Sequence, residues 1–297
     1  MCTDLAVFSD TDTVAETVAA IRLLCLPRGR ARIFVPEGGR DIDRERALLG
    51  KAAGAGVHIS LDALDPKGAG ERAALQIAPN CQAVSVIRPE GVPLSLGVLE
   101  RSLLKHTPVP VWFWNTTETE ALRVVVAADP DAHDARRDSL NDNAIDQASD
   151  LAARAGGSVV VVNAWQLDGE YDMRHSPFLR IADGEIAAAR RDIETARADW
   201  LGGMAARCRL RGVPVEAELR EGPAEHVIPA MVDEKEASVL VVGTMKRRGF
   251  AAMVRPNTAV TLANGFRGSL GVMPARDVDA QTGGGRLSRI AAGTAFA

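Results

Sequence analysis

Short apolar runs alternate with longer segments of helical period along most of the 297 residues. Alternation of this kind is typical of a parallel sheet whose strands are joined by crossover helices, and it predicts an α/β fold. In the first half, the runs of strand length are LAVFS (5–9), RIFVP (32–36), VHISLDAL (57–64), AVSVI (83–87) and VPVWFW (109–114).

The same order begins again near residue 122, with the runs LRVVVAAD, SVVVVNAW, VPVEAEL, SVLVVG and SLGVM. Two segments between these runs place apolar residues at the three-and-four spacing of a helix with one buried face. The first set is Leu140, Ala144, Ile145, Ala148, Leu151, Ala152 and Ala155, and the second is Ile186, Ile193, Trp200, Leu201 and Met204.

The chain is therefore interpreted as a tandem repeat of one α/β unit. We predict two five-stranded parallel-sheet domains with crossover helices, at residues 1–117 and 118–276, related by a pseudo-two-fold axis and joined within NTTETEA (115–121). Placing Leu96–Gly97 on Pro256–Asn257 superimposes the last helix and strand of the two halves without a gap. Residues 277–297, which hold GGG and few large apolar side chains, are expected to form a flexible tail.

The fifth strand of the first half, VPVWFW, would be an aggregation-prone edge if it were left unpaired. Such an edge requires a partner strand, and SLGVM (269–273), the fifth strand of the second half, is the candidate. Pro110 has no N–H to donate and Gly271 weakens its own strand, so this pairing should depend on aromatic burial more than on a long ladder.

Composition narrows the class of partner. The hydrophobic fraction of 46% and the charged fraction of 25% are those of an ordinary globular protein, and the net charge of −4 makes nucleic acid an unexpected partner. Cys2, Cys25, Cys81 and Cys208 form no CxxC pair and are interpreted as apolar residues in a reducing compartment. Neither a signal sequence nor an apolar run of membrane-spanning length is found, so we expect a cytoplasmic protein without a membrane partner.

Several segments together resemble the tandem universal stress proteins, in which two stress-protein domains are fused. They are the strand ending in Asp129, the VVVVNAW strand, EGPAEHVIPAMVDEKEASVLVVGT, and the HTPVPV ending of the first half. The resemblance extends along nearly the whole chain to residue 276. It implies sheets of the adenine nucleotide alpha hydrolase type and, in members that bind ATP, the pattern G-x2-G-x9-G-[ST] after the fourth strand. Members of the family commonly dimerise through the fifth strand, so the resemblance also implies that VPVWFW and SLGVM pair across the pseudo-two-fold axis and make the polypeptide an intramolecular pseudo-dimer.

In this chain that pattern falls on Gly243, Lys246, Pro256 and Asn257, so its spacing is kept but two of its three glycines are replaced. Such loops hold phosphate with backbone N–H groups and the positive end of the following helix. Lys246 resists positive φ and places a side chain where phosphate oxygen would sit, and Pro256 has no N–H to donate. We therefore expect weak or absent binding of ATP, with ATP or AMP remaining open as a ligand.

The altered loop keeps features that attract an anion. Lys246, Arg247, Arg248 and Arg255 are positively charged, and the N–H groups from Thr258 onward would be unpaired at a helix start. Alternatively, Asn257 only caps that helix and the basic cluster is a solvated turn. The candidate ligand-binding residues are Asp129, Gly243, Thr244, Lys246, Arg247, Asn257 and Thr258.

The resemblance places Asp129 where family members contact the nucleoside, although AADPDAHD also has the composition of a plain turn. Asp10 is its equivalent in the first half. There the loop after AVSVI is only RPEGVPLS, which is too short for the family's pattern, so we expect no nucleotide in the first half.

No residue pattern indicates catalysis, since GxGxxG, GxxxxGK[ST] and HExxH are all absent. Asp168, Glu170, Asp172 and His175 have the chemistry of metal ligands without a known ligand spacing, so a surface loop is favoured and no metal is expected. The leading hypothesis is a non-enzymatic stress-response protein that binds a small-molecule ligand or a protein partner. The alternatives are a weak ATPase, or a carrier of another small molecule in the cleft at the carboxyl ends of the strands.

Overall fold

The computed structural model describes residues 4–9, 13–25, 28–36, 49–50, 57–64, 80–130, 135–176, 181–244, 261–262 and 266–274. The first half comprises β1 (Asp4–Phe8), α1 (Val14–Leu24), β2 (Arg30–Pro36), β3 (His58–Leu64), β4 (Ala83–Ile87), α2 (Val98–His106) and β5 (Val111–Trp114). The second half comprises β6 (Arg123–Ala127), α3 (Ala135–Ala155), β7 (Ser158–Trp165), α4 (Glu170–His175), α5 (Asp183–Leu210), β8 (Val215–Glu221), α6 (Ala224–Glu234), β9 (Val239–Thr244) and β10 (Ser269–Pro274).

The described strands form one ten-stranded sheet in the order β3-β2-β1-β4-β5-β10-β9-β6-β7-β8. Pairing is parallel within each half and antiparallel only between β5 and β10. Read from its outer edge, each half has the same order, third-second-first-fourth-fifth. The predicted α/β class with two five-stranded parallel sheets related by a pseudo-two-fold axis is confirmed.

Hydrophobic periodicity located the strands to within two residues at either end. Every member of the first predicted helix set, from Leu140 to Ala155, is buried in α3. The second set was only partly right, because Ile186 and Leu201 are buried while Ile193, Trp200 and Met204 are half-buried. Much of the long helix α5 is exposed to solvent, so its apolar positions are covered unevenly.

Helices cover both faces of the sheet, which explains why the central strands are almost continuously apolar. Residues of α1, α3 and α5 pack with Trp112 and Trp114 on one face. Residues of α2 and α6 pack with Val111 and Phe113 on the other. Among the described helices, none is long and apolar enough to cross a membrane.

The two halves meet where β5 pairs with β10, as predicted from the sequence. The described register is short, with Phe113, Trp112 and Val111 opposite Leu270, Gly271 and Val272. Trp112, Phe113 and Trp114 are each no more than 1% exposed. Aromatic burial therefore contributes more to this junction than the brief ladder does.

Gly271 makes room for the Trp112 indole at the junction. A methyl group at this position would lie 2.5 Å from Cζ3 of Trp112 and 2.8 Å from Cε of Met273. Glycine is thus required for close packing across the strand pair, in addition to its weakening effect on the ladder.

The strand registers correct the gapless superposition of the two halves by one residue. Leu5 and Val124 are the second residues of β1 and β6, and they pair with Ala83 and Val239. The next pairings, Val84 with Val111 and Leu240 with Leu270, make Trp112 equivalent to Gly271 rather than to Val272. Period-2 patterning cannot detect this slip in strands buried on both faces, because both registers place apolar residues inward.

Polar groups join the halves beside the strand pair. The Asn115 N–H donates to Ser269 Oγ (3.1 Å), and Ser269 Oγ donates to Asn115 Oδ1 (3.0 Å). Asn115 Nδ2 also donates to the Arg267 carbonyl, and the Leu94 N–H donates to the Phe266 carbonyl (2.8 Å). The start of the polar segment 115–121 is therefore buried in the junction. The domain limits themselves remain a prediction, and the expected tail at 277–297 lies outside the described residues.

Replacing Trp112 with Asp should lower the free energy of unfolding by roughly 4 kcal/mol or more, because it removes a large buried side chain and buries a charge. Urea unfolding and size-exclusion chromatography would measure the change, with separated halves or aggregation as the expected state. Tyr171→Asp is the control, because that side chain is 74% exposed. Wild-type stability and hydrodynamic size for the Trp112 variant would contradict the junction.

Replacing Gly271 with Ala should cost about 1–3 kcal/mol, since the new methyl group overlaps the Trp112 indole. Gly202→Ala is the matched control, because a methyl group at that position on α5 would meet no atom of another element within 4 Å. That change should be neutral or stabilise by up to about 1 kcal/mol, as expected for an open helical position. Equal effects of the two substitutions on urea unfolding would show that the Trp112 contact is unimportant.

Candidate functional site

The topology of the second half places a crevice at the carboxyl ends of β6 and β9. From β6 the chain continues to β7 and β8 on one side and returns to β9 and β10 on the other. Ligands in open α/β sheets bind at such a reversal of strand order, outside the carboxyl ends of the strands. Asp129 follows the end of β6, and Gly243 and Thr244 end β9, so the structure brings these three predicted site residues to one edge.

The backbone of Asp129 is fixed by a buried asparagine of α3. The Asp129 N–H donates to Asn141 Oδ1 (3.2 Å), and Asn141 Nδ2 donates to the Asp129 carbonyl (2.9 Å). Both ends of the Asn141 amide are therefore used to hold the turn after β6, which orients the Asp129 side chain at the edge of the sheet.

The Asp129 carboxylate is held by two arginines. Arg137 Nη1 donates to Oδ2 (2.7 Å) and Arg197 Nη1 donates to Oδ1 (3.2 Å). The Asp129 side chain is 54% exposed, whereas those of Arg137 and Arg197 are only 31% and 24% exposed. Both carboxylate oxygens consequently already accept a charged hydrogen bond within the protein.

Asn163 connects Arg197 to the strand beneath it. This fully buried residue of β7 donates through Nδ2 to the Ala128 carbonyl (2.8 Å) and accepts at Oδ1 from Arg197 Nη1 (3.0 Å). We call Asp129, Arg137, Asn141, Asn163 and Arg197 the switch-point cluster.

Sequence reasoning identified only Asp129 among these five residues. Two signals were available for the others. Arg197 lies four residues after Ile193 and four before Leu201, so it is a charged residue on the apolar face of its helix. Asn163 is the one amide within the apolar run SVVVVNAW.

Gly243 has a packing role that does not require a ligand. A methyl group at Gly243 would lie 2.5 Å from Cγ of Leu140, on the α3 helix that covers this strand. The backbone of Gly243 is not in the left-handed region, so the position needs space rather than unusual conformational freedom. The neighbouring Thr244 is buried.

The remaining predicted loop residues, Lys246, Arg247, Asn257 and Thr258, lie outside the described residues, as does Asp10. Their proposed roles stay predictions.

In the first half, the strand registers place Ile87 and Arg88 where the second half has Gly243 and Thr244. Arg88 is buried and donates to the carbonyls of Val92 (3.0 Å) and Gly268 (3.2 Å). Burial lowers the pKa of Arg88 to about 10, partly offset by the nearby Glu100 carboxylate, so it is charged at neutral pH. This edge of the first half is therefore occupied by a structural side chain that ties the two halves together.

The acidic segment before α5 was expected to be a surface loop, but its residues from Glu170 to His175 form the short helix α4, which is part of a surface ion-pair network. Glu170 accepts from Arg174 (2.8 Å) and Arg190 (2.7 Å), and the hydrogen bond from Arg174 is the main cause that lowers the Glu170 pKa. His175 Nδ1 lies 2.9 Å from the Tyr171 carbonyl oxygen, and its ring stacks on the Tyr171 ring. In the part of the chain that the structure describes, no three His, Cys, Asp or Glu residues are grouped to hold a metal ion.

A groove of about 860 Å³ lies at the junction of the halves, away from the switch-point cluster. Its lining combines apolar residues such as Phe266 with one arginine, Arg267, and five carboxylates. Among the residues that the structure describes, these carboxylates outnumber the arginine, so the groove is poorly suited to a nucleotide phosphate. They belong to Glu90, Glu118, Glu225, Asp233 and Glu236.

Residues 122–270 match the model of the universal stress protein family. Among solved structures, a functionally unknown protein from Pseudomonas aeruginosa PAO1 is 21% identical, with a TM-score of 0.67 and coverage of 94% of this chain and 95% of that chain. A universal stress protein from Archaeoglobus fulgidus DSM 4304 is 16% identical, with a TM-score of 0.56 and coverage of 92% and 98%.

The cytoplasmic domain of a prokaryotic cation chloride cotransporter is 9% identical, with a TM-score of 0.52 and coverage of 94% of this chain and 98% of that chain. At such identities the likeness to these solved structures shows the fold. A comparison with curated protein sequences finds no match.

Replacing Gly243 with Ala should lower the free energy of unfolding by about 1–3 kcal/mol, because the new methyl group overlaps Leu140. The double variant Gly243→Ala with Leu140→Ala should be more stable than the sum of the single changes predicts, since the truncated side chain relieves the overlap. Urea unfolding of the four proteins measures this coupling. Additive effects would show that Gly243 is not required by the Leu140 contact.

Proposed function

Since the chain belongs to the universal stress protein family, we propose that it is a tandem member that acts without catalysis, by binding a small-molecule ligand or a protein partner, and that binds ATP weakly or not at all. The observation that carries this proposal is the state of Asp129. Both of its carboxylate oxygens accept hydrogen bonds from arginines, so the residue expected to meet a nucleoside has few acceptor sites left for one.

The proposed tandem arrangement is supported by the equivalence of the two halves. The family model matches residues 122–270, and the first half repeats the strand order of that region. The Pseudomonas aeruginosa and Archaeoglobus fulgidus structures are similar over both halves. We infer that the first half is a divergent copy whose main contribution is the junction with the second.

Weak ATP binding is supported at four positions along the chain. Asp129 is engaged by Arg137 and Arg197, while Lys246 and Pro256 replace glycines in the phosphate loop. In the first half, the structural side chain of Arg88 occupies the equivalent edge. Each lost or blocked hydrogen bond costs on the order of 1–3 kcal/mol, so together they weaken a micromolar site to about millimolar or worse.

A hydrolase function would need a firmly held triphosphate, because phosphoryl transfer depends on positioning and charge stabilisation. The altered loop is poorly suited to supply either, which is why we propose binding rather than turnover. Native mass spectrometry of the purified protein would report directly which small molecule, if any, remains bound.

Calorimetric titration with Mg-ATP should give a dissociation constant weaker than about 1 mM. The double variant Lys246→Gly with Pro256→Gly should bind more tightly, because it restores backbone freedom and one N–H donor. Lys105→Ala, on α2 in the other half, is the control for loss of one positive charge. A micromolar constant for the unaltered protein would contradict the proposed function.

A further inference from the structure

We propose that the switch-point cluster recognises an anionic group of a small ligand, a carboxylate or a phosphate, through Arg197, which makes Arg197 a specificity-determining residue. This inference rests on the proposed ligand-binding function and specifies the ligand's chemistry. It follows from the hydrogen bonds that the cluster already makes within the protein and from the donors that these bonds leave unused.

The acceptors of the cluster are largely occupied. Arg137 and Arg197 each donate to one oxygen of Asp129. Asn163 Oδ1 accepts from Arg197, and Asn141 Oδ1 accepts from the Asp129 N–H. A ligand hydroxyl that donates to Asp129 would therefore share each carboxylate oxygen with an arginine that is already bound to it.

The donors of Arg197 are not exhausted. A guanidinium has five N–H groups, and the described contacts of Arg197 both leave from Nη1. Among the described residues, no acceptor is within hydrogen-bond distance of its Nε or Nη2. These two nitrogens form one side of the guanidinium fork, the geometry that binds the two oxygens of a carboxylate or phosphate.

Charge favours the same class of ligand. Within the five described residues of the switch-point cluster, the guanidinium groups of Arg137 and Arg197 outnumber the one carboxylate, that of Asp129. The Arg197 side chain is 24% exposed and is held by Asn163, which is fully buried. Little side-chain entropy is then lost when an anion binds, and the partly desolvated position strengthens the attraction relative to open solvent.

This position differs from that of the altered loop. The cluster lies beyond the carboxyl ends of β6 and β7, and Arg197 comes from α5, whereas the loop follows β9. The residues proposed to bind the anion are thus not those of the loop, and the two can be substituted separately.

The test is a titration with inorganic phosphate, acetate and uncharged adenosine, followed by the side-chain amide signals of Asn141 and Asn163 in nitrogen-15 NMR spectra. Phosphate or acetate should shift these signals, and the anion that binds more tightly identifies the ligand class. Arg197→Met should weaken anion binding roughly 10-fold or more, as expected for a lost charged hydrogen bond. Arg197→Lys should weaken it less, because the charge remains while the fork is lost.

Arg211→Met is the matched control, since Arg211 directly follows the same helix but pairs with Asp146 and Asp150 of α3. It should leave anion binding unchanged. Thermal unfolding of each variant verifies folding, and loss of folding in the Met variant leaves the Lys variant as the decisive comparison.

Three outcomes would overturn the inference: no anion shifts the amide signals, anion binding persists unweakened in both Arg197 variants, or adenosine binds more tightly than either anion. None of them depends on the affinity for Mg-ATP. Micromolar binding of Mg-ATP would contradict the proposed function, whereas anion binding independent of Arg197 would contradict only this inference.

Discussion

The packing of Trp112 over Gly271 is the contact on which the arrangement of the molecule depends. These two residues are opposite each other in the antiparallel pair and occupy equivalent positions in the two halves, so the pseudo-two-fold axis passes between them. A side chain at Gly271 would displace the indole, and a smaller residue at Trp112 would leave a cavity between the halves. By pairing β5 with β10, the chain also removes two edges that would otherwise be open to aggregation.

The two halves differ in the residues that lie at the carboxyl end of their fourth strands. In the first half, the edge equivalent to Gly243–Thr244 holds Arg88, whose guanidinium reaches the Gly268 carbonyl of the second half. This buried arginine therefore contributes to the contact between the halves. In the second half, the corresponding position is Gly243–Thr244, and the described polar residues of the switch-point cluster lie at the end of the neighbouring strand β6. The two halves therefore share a strand order but differ in the residues at this edge.

Near the end of β6, hydrogen bonds within the protein determine which donors and acceptors remain available to a ligand. Asn141 fixes the turn, Asn163 fixes Arg197, and the arginines occupy Asp129. An aspartate that is exposed in a strand-end turn would ordinarily offer acceptors to solvent or to a ligand. Here Arg137 of α3 and Arg197 of α5 donate hydrogen bonds to it, so guanidinium donors surround the carboxylate at this edge.

The positions of the strands and their repeated order could be predicted from the sequence, because the hydrophobic period is a local property of the chain. The pairing of VPVWFW with SLGVM was predicted from the resemblance together with the need to bury an aromatic edge. The one-residue register of the repeat and the packing roles of Gly243 and Gly271 were decided only by tertiary structure, since they depend on side chains from distant elements, Leu140 and Trp112. The same holds for the site. Asp129 was visible as a strand-end carboxylate, but its pairing with Arg197, 68 residues away along the chain, arises only when α5 packs across the sheet and brings the two charges into contact.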